Sequence, residues 1–144
     1  MSKQSATFGK VKDFITDQYN QLPVMGAVIV KSVVNGYKVN DILVKMDGNR
    51  YSVVKENSEI SEFNQRRTAI LFAALVSKKK YSDSSKIYGL DKQLDIYLED
   101  KQFYTIRLKN NDNMVYEHRL SRVESELIII DDQLRQLEKS VALQ

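Results

Sequence analysis

The sequence predicts an α+β fold: an antiparallel helical core of three long helices, a small three-stranded antiparallel β-meander and a short N-terminal helix. Three observations carry this. Tyr116, Leu120, Val123, Leu127, Ile130, Leu134, Leu137 and Val141 recur at alternating steps of four and three, the apolar seam of one long helix. Residues 24–54 are rich in β-formers and punctuated by Asn35-Gly36 and Asp47-Gly48, dipeptides that supply the positive φ of tight hairpin turns. The run Ala69–Val76 is apolar all round and fits a segment buried on several sides.

In chain order, Phe8, Val11, Phe14 and Ile15 lie at helical spacing behind Thr7, an N-cap residue, and predict the N-terminal helix within residues 1–22. Pro23, the only proline, closes it, because proline cannot continue the hydrogen-bond ladder. The meander is expected over 24–56, with strands at about 27–34, 37–45 and 50–55. The second strand is not cleanly apolar on either face, so one face of the sheet should see solvent. The helical core is expected over 58–142. Ser58 as N-cap with Glu59 and Glu62 in the first turn predicts a helix from there to about Lys79. A polar break at Ser82–Ser85 then precedes Ile87, Leu90, Leu94, Tyr97, Tyr104 and Leu108, a helix ending near Asn110 that Gly89 weakens in its first turns. Asn110–Asn113 reads as a turn, with Asp112 the N-cap of the seam helix.

A chain of 144 residues with 42% apolar content suits one domain over 1–144, and no linker or repeat divides it. The absence of Cys excludes a disulfide framework, a thiol nucleophile and thiolate metal sites, and it fits a reducing compartment. The polar start and the lack of an apolar run near the roughly 18 residues that span a bilayer predict a soluble, unsecreted, cytoplasmic protein without membrane association.

The seam is a core element in this reading rather than a dimerisation device. With Leu120, Leu127, Leu134 and Val141 at a and Tyr116, Val123, Ile130 and Leu137 at d, every e position is acidic: Glu117, Glu124, Asp131 and Glu138. The g positions, Arg119, Glu126, Gln133 and Ser140, offer one cation, so charge does not specify self-pairing. Net charge is +3 over residues 1–58, +3 over 59–110 and −3 over 111–144, and Arg66, Arg67, Lys92, Lys101 and Arg107 are available to face the acidic row within the same chain.

Ile128 and Ile129 fall at b and c, off the seam. Either the sheet or the first helix covers them, or they form an apolar patch for another chain, and they are the candidate protein interface. A second candidate surface is Lys78, Lys79, Lys80, Tyr81 and Lys86, followed by Tyr88 and Lys92, where cations alternate with rings able to stack on bases. Lysines at a helix C-terminus also simply complement its dipole. No zinc finger, phosphate loop or RNA-binding sheet signature accompanies them.

No catalytic, cofactor or metal site is predicted. His118 is the only histidine and has no Ser or Asp motif around it, while Asp131-Asp132 and Glu99-Asp100 are helix neighbours whose side chains diverge by about 100° and cannot converge on one cation. Asp47-Gly-Asn-Arg50 is a hairpin turn that lacks the downstream Glu of a calcium loop.

The order Tyr51-Ser-Val-Val54, Ala69–Val76 closing with Ser77-Lys78, then Ile87, Leu90, Asp91, Tyr97 and Lys101 resembles small uncharacterised proteins of large tailed bacteriophages of marine bacteria, over roughly residues 37–140. The resemblance implies no activity, substrate or site residue. It implies an accessory or virion-associated setting, in a host cytoplasm or a virion. The functional expectation is a non-enzymatic protein–protein interaction or assembly protein, with nucleic-acid binding through Lys78–Lys92 as the alternative.

Overall fold

A computed structural model describes residues 25, 28–110 and 114–142. The predicted N-terminal helix and the Asp112 cap lie outside the described residues. Five strands come first, β1 (Val30–Val33), β2 (Gly36–Val39), β3 (Ile42–Asp47), β4 (Arg50–Lys55) and β5 (Ser58–Phe63), followed by α1 (Arg66–Ser77), α2 (Tyr81–Asn110) and α3 (Met114–Ala142). The strands form one antiparallel meander in sequence order.

The expected three-stranded meander is corrected to five strands, for two local reasons. The predicted strand 37–45 is broken at Asn40-Asp41, where Asn40 takes φ 52° and turns the chain. Its side chain fixes that turn from both ends: Oδ1 accepts the Ile29 N–H at 3.0 Å and Nδ2 donates to Ser77 Oγ at 3.0 Å. Secondly, Ser58–Phe63 is a strand and not the start of a helix. Glu56 and Asn57 have φ of 51° and 66°, so the link from β4 is a two-residue hairpin turn with both residues left-handed. All four hairpins have two-residue turns, and each holds a left-handed residue: Asn35, Asn40, Gly48, or the Glu56-Asn57 pair.

A bulge places Ser61 opposite Val53 and Glu59 opposite Val54, leaving Ile60 as the extra residue of β5. It resets the alternation: Phe63 joins the inner face opposite Tyr51, while Glu59 and Glu62, three apart, both stand opposite outward residues. The buried centre of the inner face is Val39, Ile42, Val44, Val53 and Phe63.

That face lies on α1, which is shorter than the predicted helix but buried along nearly its whole length from Arg67 to Val76. The apolar run needs cover on both sides because α1 is the middle layer, with the sheet on one side and the α2–α3 hairpin on the other. Along the hairpin Ile87, Leu94 and Leu98 meet Val123, Leu127, Ile130, Leu134 and Val141, so the seam is an intramolecular core. α2 runs regularly through Gly89, where a Cβ would meet open space.

Gly36 is different, because a Cβ there would collide with the Val44 carbonyl of the neighbouring strand. Gly36→Ala should therefore lower unfolding free energy by about 1–3 kcal/mol, the usual cost of overpacking, in urea denaturation, while Gly89→Ala should stabilise or leave the protein unchanged.

Candidate functional site

The polar residues buried in the described structure are Gln65, Arg67, Thr68, Ser84, Asp91 and Gln102. A buried carboxylate and guanidinium are where catalysis would be sought, and both are fully engaged in joining layers. The first N–H groups of α1 have no intrahelical acceptor, and Gln65 at the N-cap makes no side-chain cap. Asp91 of α2 holds the entry to the helix instead: its carboxylate accepts the Asn64 N–H at 3.0 Å, the Gln65 N–H at 3.0 Å and the hydroxyl of Thr68 in the first turn at 2.6 Å. Burial pushes the Asp91 pKa above the ordinary aspartate value, against the opposing pull of Thr68 and the two backbone donors. A raised folded pKa means that the stability linked to this group is fully present below the unfolded aspartate pKa and is lost as pH rises through the folded value.

Arg67, in the first turn of α1, does the same work towards α3. Its Nε and Nη2 donate to Glu138 Oε2 and Oε1 at 2.9 and 3.1 Å, and its Nη1 donates to Asp131 Oδ1 at 2.6 Å. Burial favours its neutral form, but the paired carboxylates outweigh this and hold its pKa above the ordinary arginine value. Asp131 also takes Arg135 Nε at 2.8 Å. Two members of the acidic e row thus meet a cation of the same chain.

The structure places the predicted basic site at the junction of α1 and α2. Lys78, Lys79 and Lys80 close α1 in a Schellman arrangement: Lys79 is left-handed at φ 59°, its N–H donates to the Val76 carbonyl, and the Lys80 N–H donates to the Leu75 carbonyl. This turns Lys80 inward, where Nζ donates to the Ser140 carbonyl and Oγ, each at 2.9 Å, at the negative end of α3. Lys86 Nζ lies 3.6 Å from Asp83, and Lys92 sits over the Tyr88 ring at 4.7 Å. Lys79, Tyr81 and Lys86 remain exposed.

Ile128 and Ile129 are brought together and left outside. They are 66% and 52% exposed between fully buried Leu127 and nearly buried Ile130, on the side of α3 away from the seam. Nothing among the described residues covers them. Ile96, also exposed, lies 14 residues from the α2 end at Asn110, as Ile128 lies 14 from the α3 start at Met114, so the two are level along the hairpin. Burial fades past Gln102 on α2 and before Val123 on α3, and the far end is a two-helix arm. Phe103, Tyr104 and Tyr116 hold it, with ring centroids 5.3–6.4 Å apart and Arg107 over Phe103 at 5.0 Å.

His118 is exposed, and Asp132 accepts only from Gln136. No group of three or more His, Cys, Asp or Glu residues able to hold a metal occurs among the described residues, and no described helix is long and apolar enough to cross a membrane. The chain matches none of the protein-family models, curated proteins or solved structures with which it was compared. Asp91 was the residue that sequence reasoning missed. An Asp within a helix of ordinary composition carries no local mark of the backbone donors it meets.

Asp91→Ala leaves the Asn64 and Gln65 N–H groups unmatched, while the Thr68 hydroxyl keeps the Gln65 carbonyl, and should cost at least about 2 kcal/mol in chemical denaturation, and Asp91→Asn about 1–2 kcal/mol because it keeps one acceptor. Arg67→Ala strands Glu138 and weakens the tie to Asp131, with an expected loss of about 3 kcal/mol by the same measurement.

Proposed function

We propose that this is a non-enzymatic interaction protein that assembles through the outer face of α3, centred on Ile128 and Ile129. The observation that supports this reading is the exposure of two adjacent isoleucines in the middle of a helix whose neighbouring residues are fully engaged. Burying them against a partner would remove about 1.5–3 kcal/mol of unfavourable hydration for each side chain.

A second copy of the chain is the partner that an isologous contact provides: an antiparallel two-fold arrangement with its axis between residues 128 and 129 packs the isoleucine pair of each copy on that of the other. This face differs from the seam, whose acidic e row is already occupied by Arg67 at Asp131 and Glu138. The resemblance to phage proteins adds the setting: an assembly component accessory to, or part of, a virion. The basic Lys78–Lys92 segment is the weaker reading, since Lys80 is bonded to Ser140 and Lys86 pairs with Asp83.

Sedimentation velocity should show concentration-dependent association at micromolar protein. Ile128→Lys with Ile129→Lys should abolish it while leaving the thermal midpoint within a few degrees, as both side chains are exposed. A strict monomer at high micromolar concentration, or a double variant that associates like the parent, would overturn the reading.

A further inference from the structure

The outward face of the sheet carries a charge pattern that its own pairing disfavours. Lys31 on β1 and Lys38 on β2 are direct cross-strand partners. Lys45 on β3 stands two residues beyond Leu43, the partner of Lys38, and so lies diagonal to it. Opposite residues have Cβ atoms about 5 Å apart and diagonal ones about 7–8 Å, and like charges directly opposite destabilise a sheet. All three lysines are exposed.

The acids of this face are paired with Arg50 or lie towards the far edge. Glu62 pairs with Arg50 at 2.5 Å, Asp47 faces Arg50 across β3 and β4, and Glu59 lies on β5, three strands from Lys38. The bulge at Ile60 fixes this separation, because it sets both Glu59 and Glu62 outward at the far edge. The result is a face polarised from basic β1–β3 to acidic β5.

We propose that the outward face of β1–β3 binds the phosphate backbone of duplex nucleic acid through Lys31, Lys38 and Lys45. The backbone N–H groups of a sheet lie in its plane and not on its face, so the face has no convergent backbone donors for a single phosphate and suits an extended array of closely spaced anions. Between the lysines lie Val33, Gly36 and Leu43, with no ring on which an unpaired base could stack. Tyr37, Tyr51 and Phe63 belong to the opposite, inner face. Single strands are gripped chiefly by stacking on aromatic platforms, so this surface favours a duplex.

The test is fluorescence anisotropy of a labelled 20-base-pair duplex titrated with the full chain at several salt concentrations. Three phosphate contacts alone make affinity fall about 40-fold between 50 and 200 mM salt, a logarithmic slope of about −2.7. The triple variant Lys31→Gln, Lys38→Gln, Lys45→Gln should flatten the measured slope by about that amount, and its thermal midpoint should hold or rise, because the like-charge pair is relieved. The double variant Lys78→Gln, Lys79→Gln should leave the slope unchanged. Absence of binding at low salt, a slope unaltered in the triple variant, tighter binding of the corresponding single strand, or preference for polyglutamate over the duplex would each overturn the proposal.

Discussion

The carboxylate of Asp91 is the constraint on which the architecture depends. It sits where the end of β5, the first turn of α1 and the middle of α2 meet, and it accepts donors from Asn64, Gln65 and Thr68. Left unmatched, the backbone N–H groups of Asn64 and Gln65 at the entry to α1 would each cost free energy, and the Gln65 side chain caps nothing there. The acceptor therefore comes from 26 residues further along the chain. Forming it fixes the direction of α1 against α2 and the exit of the sheet. Arg67 then carries the constraint from the same turn of α1 to α3 through Glu138 and Asp131.

These two polar junctions hold a three-layer stack whose middle layer is α1. With the apolar inner face of the sheet on one side and the seam of the hairpin on the other, the core consumes one face of each outer layer. Each outer layer keeps its other face. On the sheet that face is polarised lysine to glutamate; on α3 it carries two isoleucines. The two surfaces proposed for binding thus arise from one architectural fact, that a middle helix buried all round leaves the layers flanking it with unused outer faces.

The helical seam was legible in the sequence because its information is periodic and local. Val123, Leu127, Ile130, Leu134 and Val141 are buried as the spacing implies, and the acidic row finds Arg67 in the same chain. The strand Ser58–Phe63 was not legible as such, since Ser58, Glu59 and Glu62 are good first-turn residues of a helix. Pairing with β4 and the burial of Phe63 outweighed that local preference. Asn40 hid similarly: a left-handed turn inside an apparently continuous strand is decided by its bonds to Ile29 and Ser77. The contiguous run Lys78–Lys80 carried no sign that Lys80 bonds Ser140 after the left-handed turn at Lys79.

By itself, then, the sequence determined the α+β class, the long C-terminal helix with its buried stripe, the apolar centre at Ala69–Val76 and the isolation of Ile128 and Ile129 from the seam. Each is a matter of periodicity or run length within one element. Tertiary structure alone decided the number of strands, where α1 begins, which lysines share a face and which carboxylate is buried. Those depend on register and on partners far away in the chain. Lys31, Lys38 and Lys45 are seven residues apart in sequence. Only the pairing of three short strands through two-residue turns brings them together.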